Sequence, residues 1–383
     1  MRVRVIRAGW QFVAGALLIV LSLTGTGLAA SATVAKSAHP VFVYVTNEGN
    51  KVIVISGAAS KVTKTIKVDS TPNAIAITPN DKTVYVVLNR HAVVPINAVT
   101  NRYEGAPIQL TDRGQHLAIA ITPNSKMAYV LSRNQPAGTV TPIVIATNQA
   151  LSPITVGSNP VSIAITPDGK MAYVANSVSG TITPIVLATN QALSPITVGA
   201  SPGSIAFTPN SEMGYVTIAG GKVVPFSTVT NEAGPQLQVG SGSSGIAFSA
   251  DSKLAFMRLR NSESHRLVFI STATGNVVKT VTFGPSVSDI SAIVMSPDAK
   301  TVYVAEYDAF EKASVFPISV ATGKVGKPIK MAAIVDSIAF TPNGQAAWAL
   351  MAQSQVGSFS TATGKTGKPI AAGSQTGSMV ITP

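Results

Sequence analysis

IAITPNDKTVYVV at 75–87, IAITPNSKMAYVL at 119–131 and IAITPDGKMAYVA at 163–175 are three versions of one unit. Each is an apolar run, a polar turn built on Thr-Pro-Asn/Asp, and a second apolar run ending beyond an aromatic residue. That order predicts a β-hairpin, because proline presets φ and Asn or Asp bonds its own backbone in the turn. The unit recurs as IAFTPNSEMGYVT at 205–217, IAFSADSKLAFMR at 246–258, IVMSPDAKTVYVA at 293–305 and IAFTPNGQAAWAL at 338–350. After each hairpin comes a third apolar segment ending in Thr-Asn or Thr-Gly, such as TVTPIVIATNQ at 139–149 or SVFPISVATG at 314–323, and then a fourth. Four strands in a repeat of about 42 residues predict the blade of a β-propeller.

The aromatic markers Tyr44, Tyr85, Tyr129, Tyr173, Tyr215, Phe256, Tyr303 and Trp348 count eight units. VFVYVTN at 41–47 reads as a second strand without its hairpin partner, and MVITP at 379–383 as a first strand without its own. Joined, they make one blade, so the C-terminal strand is expected to close the ring against the N-terminal strands and remove the exposed edge. The expected fold is all-β: an eight-bladed propeller of four-stranded antiparallel sheets, with seven blades as the alternative. Segments 141–157 and 183–199 differ only at Ile145 and Leu187. Such a duplication argues for a structural unit rather than a unique catalytic one.

Composition agrees. Hydrophobic residues make up 46% and charged residues 11%, which excludes a disordered chain. The 31 glycines and 24 prolines are spread along the sequence, as many turns require. With no cysteine, disulfides, thiolate–zinc sites and cysteine nucleophiles are excluded. Arg2, Arg4 and Arg7, the apolar stretch from Trp10 to Leu23 and the small residues Ala29 to Ala32 predict a secretory signal over 1–32. A short linker at 33–40 then leads to a single domain over 41–383, with no membrane span once the signal is removed. The net charge of +12 becomes +9 without the three leader arginines. The positive residues are scattered along the chain; such a surface suits anionic surroundings such as wall polymers or lipid headgroups, but simple solubility is the preferred reading. Nucleic acid is not expected, since it wants a concentrated basic stripe.

Val43-Tyr44-Val45-Thr46-Asn47, its echoes at 84–86, 128–130 and 172–176, and the Gly-Ser-Asn-Pro turn at 157–160 followed by Ile163 to Lys170 resemble YVTN-family β-propeller repeats. The resemblance spans 41–383. It implies a binding scaffold of the kind found in exported and cell-surface bacterial and archaeal proteins. Related propellers include lactonases and metal-dependent lyases, but none of their catalytic motifs transfers residue by residue. Ser249-Ala250-Asp251 departs from the pattern by lacking the turn proline, which puts the regularity of that hairpin in question.

Two groups of polar residues break the repeat. The first is Arg90 and His91 in the turn between strands 2 and 3 of one unit, with Asp112, Arg113 and His116 in the next inter-blade loop. Arg, His and Asp together suit anion binding or acid–base work. The second is Arg258, Arg260, Glu263 and His265, then Asp289, then Glu306, Asp308 and Glu311, read as decorating the two longest loops. Several carboxylates there suit Ca²⁺ or a protein partner, although no D-x-D-x-D-G spacing appears. His91, His116 and His265 are all expected on loops. No nucleophile elbow or phosphate loop is present, so no catalytic residue, metal or cofactor is assigned. The functional expectation is an exported, non-catalytic binding module at or outside the cell envelope, with a protein or an envelope polymer as partner and the oligomeric state open. The alternatives are a hydrolase or lyase of the lactonase type and a surface-layer component.

Overall fold

The computed structural model describes residues 40–239, 245–260, 265–283, 287–308, 310, 312–373 and 376–382. The expected signal at 1–32 and residues 33–39, including His39, lie outside them, as do Glu263, Glu311 and the loop 240–244.

Eight antiparallel sheets follow one another along the chain. Blade 1 joins strand Thr376–Ile381 to Phe42–Asn47, Lys51–Ser56 and Lys61–Lys67. Blades 2 to 8 begin at Pro72, Gln115, Pro160, Ile205, Ile246, Val287 and Val335. The first strand of every blade lies innermost, and consecutive innermost strands touch all the way round, including Val335–Phe340 against Thr376–Ile381 and Thr376–Ile381 against Pro72–Ile77. The ring therefore has eight blades and closes as expected, with Val43 paired to Ile381 and Val45 to Met379. Thr382 locks the seam twice: its hydroxyl accepts from the amide of Phe42 at 2.7 Å, and its own amide donates to the carbonyl of Phe42 at 2.9 Å.

The buried apolar residues fall into eight clusters, and each spans two successive blades. Trp348 and Leu350 of blade 8, for instance, pack on Val43, Val45 and Met379 of blade 1. A blade is covered on both faces, so its second strand reads as a continuous apolar run rather than an alternating one. Each fully buried Val or Leu in these layers contributes about 1.5–3 kcal/mol.

Polar repeats position the turns. At Thr122, the side-chain oxygen donates to Asn124 Oδ1 at 2.7 Å and accepts from the amide of Met127 at 3.0 Å. Ser249 repeats the same bonds, to Asp251 Oδ1 at 2.6 Å and from Leu254 N at 2.9 Å. The hairpin without its proline is therefore regular, because the hydroxyl and the carboxylate define this turn.

A second polar repeat ties blade to blade. Tyr85, Tyr129 and Tyr173 donate to Asn148, Asn190 and Asn231 of the following blade at 2.7–2.8 Å, and Tyr44 does the same to Asn101. Each of these asparagines sits at positive φ in the turn between strands 3 and 4. In blades 6, 7 and 8 the same position is Gly275, Gly323 or Gly364. There the preceding blade offers Tyr215, which reaches only the Thr272 carbonyl at 3.5 Å, or Phe256 or Tyr303.

Candidate functional site

The turns between strands 2 and 3 and the inter-blade loops share one end of the propeller. Blade 3 departs from the repeat there. The connection from Ile108 to the residue paired with strand 2 is two residues longer than its counterpart after Ile154. It carries Asp112, Arg113 and Gly114, and a Cβ on Gly114 would lie 2.0 Å from Asn134 Oδ1. Only a glycine lets the loop pass that close. His116 follows within the innermost strand Gln115–Ile121, not in a loop, and pairs with Ser132. The equivalent positions in blades 2, 4 and 8 are Pro72, Pro160 and Val335.

His116 is fully buried, and so is Ser132. His116 Nδ1 lies 2.6 Å from Ser132 Oγ and 3.4 Å from Asp112 Oδ1. Asp112 Oδ2 accepts from the hydroxyls of Thr139 at 2.7 Å and Thr141 at 3.1 Å. On its other side, His116 Nε2 lies 3.1 Å from His91 Nδ1, with the two rings at 88°. A proton on Nδ1 of each imidazole closes the network: His91 donates to His116, and His116 donates toward Ser132 and Asp112. Burial lowers the pKa of His116, the nearby His91 lowers it further, and Asp112 opposes both. His91 holds φ at +53°, a left-handed position filled by Gly180 in blade 4 and Gly221 in blade 5. Its carbonyl accepts from Leu110 N at 2.8 Å, the bond that Gly180 makes to Val198.

This arrangement does not make a hydrolytic triad. In a triad the carboxylate and the nucleophile occupy opposite imidazole nitrogens. Here Asp112 and Ser132 face the same one, and Ser132 has no exposure to a substrate. Among the described residues, no three His, Asp or Glu side chains are placed to share a metal ion. Arg90 and Arg113 are exposed and stand apart from the buried network. Of the five residues expected to converge here, the structure therefore brings together Asp112, His116 and His91.

The second group lies on blades 6 and 7, across the ring from blades 2 and 3. Its members are not mainly on loops, contrary to expectation. The hairpin ladders simply continue, pairing Arg260 with His265 and Val287 with Asp308. Arg258 is buried in strand Leu254–Arg260 and donates to the carbonyl of Ile290 in the next blade. Glu306 is buried in strand Thr301–Asp308; burial raises its pKa, with Ser314 and Lys330 pulling the other way. Asp308 Oδ1 accepts from the amides of Phe310 and Lys312, both at 2.9 Å, which makes it a turn former. Arg260, His265 and Asp289 are placed by their backbones in strands Leu254–Arg260, His265–Ser271 and Val287–Met295.

A large concavity lies at the opposite end. It encloses about 1410 Å³ between the turns of blades 2 to 5, lined by Asn124, Lys126, Asp168, Lys170, Leu187 and Val229 among others. The sequence offered no signal for it, because its walls are ordinary repeat turns.

No family model matches the chain, and no curated protein does. Solved structures do. The chain is similar to Kuenenia stuttgartiensis hydrazine synthase at 17% identity and a TM-score of 0.57, over 79% of this chain and 96% of that one. It is also similar to the dihydro-heme d1 dehydrogenase NirN, solved in complex with DHE, at 11% identity and a TM-score of 0.71, over 89% of this chain and 74% of that one. At these identities the likeness is one of fold: the chain is an eight-bladed β-propeller.

Proposed function

We propose that this propeller is a non-catalytic binding module of the YVTN-repeat type, exported to act at or outside the cell envelope. The observation that carries the reading is the burial of Ser132 and His116 with Asp112 on the same side of the imidazole. The residues that most resemble catalytic machinery are bonded to one another inside blade 3 and to His91 of blade 2. They hold two blades in register, with His116 and Ser132 sealed from solvent. The accessible polar groups of this end, Arg90 and Arg113, are suited to contact rather than chemistry. Export is supported by the basic and apolar leader.

Two measurements test this. Purified protein is offered a panel of lactones and esters, beside His116→Ala. No turnover is expected, and turnover abolished by the substitution would replace the binding reading with an enzymatic one. Cell fractionation is expected to find the chain outside the cytoplasm, and its retention in the cytosol would remove the envelope from the proposal.

A further inference from the structure

The lysines that look scattered in the sequence are gathered in space. The fourth strand of each blade forms the outer wall. The outer segments of blades 7, 8 and 1 cover 320–331, 361–372 and 57–68. They carry Lys324, Lys327 and Lys330; Lys365 and Lys368; and Lys61, Lys64 and Lys67, with no Asp or Glu among them. These blades are consecutive in the ring. Blades 7 and 8 also touch at the wall itself, since a Cβ on Gly364 would lie 3.3 Å from Ile329, whose chain neighbour is Lys330. Lys330 Nζ is committed to Ser314 Oγ at 3.0 Å. Among the described residues, none of the other seven forms an ion pair, and all but half-buried Lys64 are exposed.

The fold does not require this charge. Lys324 and Lys365 accept the amides of Ser319 and Ser360 through their carbonyls, and in blade 5 the same bond is made by Glu232. The outer segments of blades 3 and 4, at 145–156 and 187–198, contain no charged residue at all. Lysines do protect long exposed edges, and strand Lys61–Lys67 is long enough to need that. The outer strands of blades 7 and 8 are only three and two residues long, and such short edges are already protected. Their lysines are thus in excess of what the sheet needs.

We infer that the outer wall of blades 7, 8 and 1 is a docking surface for a linear polyanion bearing repeated phosphate charges, since its cations are all lysines, point charges that suit phosphate, with no arginine to fork a carboxylate. An extended strand rises about 3.3 Å per residue, so Lys61, Lys64 and Lys67 spread over about 20 Å of the wall, Lys61 and Lys64 on one face of the strand and Lys67 on the other, a spread that a flexible charged chain can follow. The three segments contain no aromatic residue, which disfavours base stacking and membrane insertion. This wall is distinct from the loop end, and the inference stands or falls independently of the function proposed above.

The test is binding of fluorescent inorganic polyphosphate and of poly-L-glutamate to the purified protein across a salt series. Polyphosphate is expected to bind with an affinity that falls steadily as salt rises, and to bind more tightly than poly-L-glutamate. The variant Lys324→Glu/Lys327→Glu/Lys365→Glu/Lys368→Glu is expected to lose about tenfold or more in affinity. The comparison variant Lys82→Glu/Lys126→Glu/Lys253→Glu/Lys300→Glu, with the same charge change at the opposite end, is expected to lose less than about threefold. If the wall variant does not melt cooperatively, the four corresponding Gln substitutions replace it. No binding to polyphosphate, tighter binding to poly-L-glutamate, equal losses in both variants, tighter binding to duplex DNA, or binding confined to phosphatidylglycerol vesicles would each overturn the inference.

Discussion

The Tyr129–Asn190 contact offers a sharp test of how the blades are held together. Tyr129 is fully buried, and its hydroxyl donates to Asn190 Oδ1 at 2.8 Å. Burial pushes the phenol pKa up to about 12, so it remains a donor at any working pH. Tyr129→Phe removes one net hydrogen bond and should cost about 1 kcal/mol. Asn190→Gly instead leaves the buried hydroxyl with only the Leu187 carbonyl at 3.5 Å, a loss of about 1–3 kcal/mol. A few tenths are returned, on the order of what glycine gains at a positive φ. The double variant recreates the Phe256–Gly323 combination found between blades 6 and 7. Its cost should fall short of the sum of the single costs by about 1 kcal/mol, well above the roughly 0.3–0.5 kcal/mol scatter of independent sites. Urea unfolding of the four proteins, followed by tryptophan fluorescence and circular dichroism, measures the cycle. Additive costs would refute the claim that the tyrosine and asparagine repeats act as coupled inter-blade ties.

Removing residues 376–383 takes away the innermost strand of blade 1 and with it buried Met379, Val380 and Ile381; loss of the single cooperative melt and rapid proteolysis near residue 42 are expected. Asp112→Ala should lower stability by about 2–3 kcal/mol, as expected for hydrogen bonds to a charged group, because Thr139 and Thr141 lose their acceptor and His116 loses the carboxylate 3.4 Å from its Nδ1; a urea midpoint within error of the parent would show that the network carries no stability. His116 has a folded pKa below its unfolded value, so the unfolded chain takes up the proton first and stability should fall as pH drops below about 6.5; His116→Gln is expected to flatten thermal stability between pH 7 and pH 5. Glu306 has the opposite sign, a folded pKa above its unfolded value, so its burial is tolerated below about pH 4 and costs stability as pH rises through the folded value; Glu306→Gln should raise the melting temperature at pH 7 and not at pH 4.

Much of the architecture could be read residue by residue. The Thr-Pro-Asn hairpins, the count of aromatic markers and the unpaired strands at either end led to eight blades and a closed ring, because each signal is local and repeats. The candidate sites were only half legible. His91 and His116 were conspicuous as departures from the repeat, yet 25 positions apart they gave no sign of a 3.1 Å contact. His116 was expected on a loop because its chain neighbours are polar, whereas the longer connection ends at Gly114 and the strand begins at Gln115. Arg258, Glu306 and Asp308 were expected on loops for the same reason, and the ladder simply runs on through them.

Strand identity, turn chemistry and repeat number are encoded within windows of some dozens of residues, so the linear order of amino acids determined them without further help. Which polar groups meet, which are sealed from water, and which charges become neighbours depend on contacts between units about 42 residues apart, and only ring closure decides those. The buried Asp112–His116–His91 network and the lysine wall of blades 7, 8 and 1 both arise in this way. Each acquires its meaning from the blade beside it.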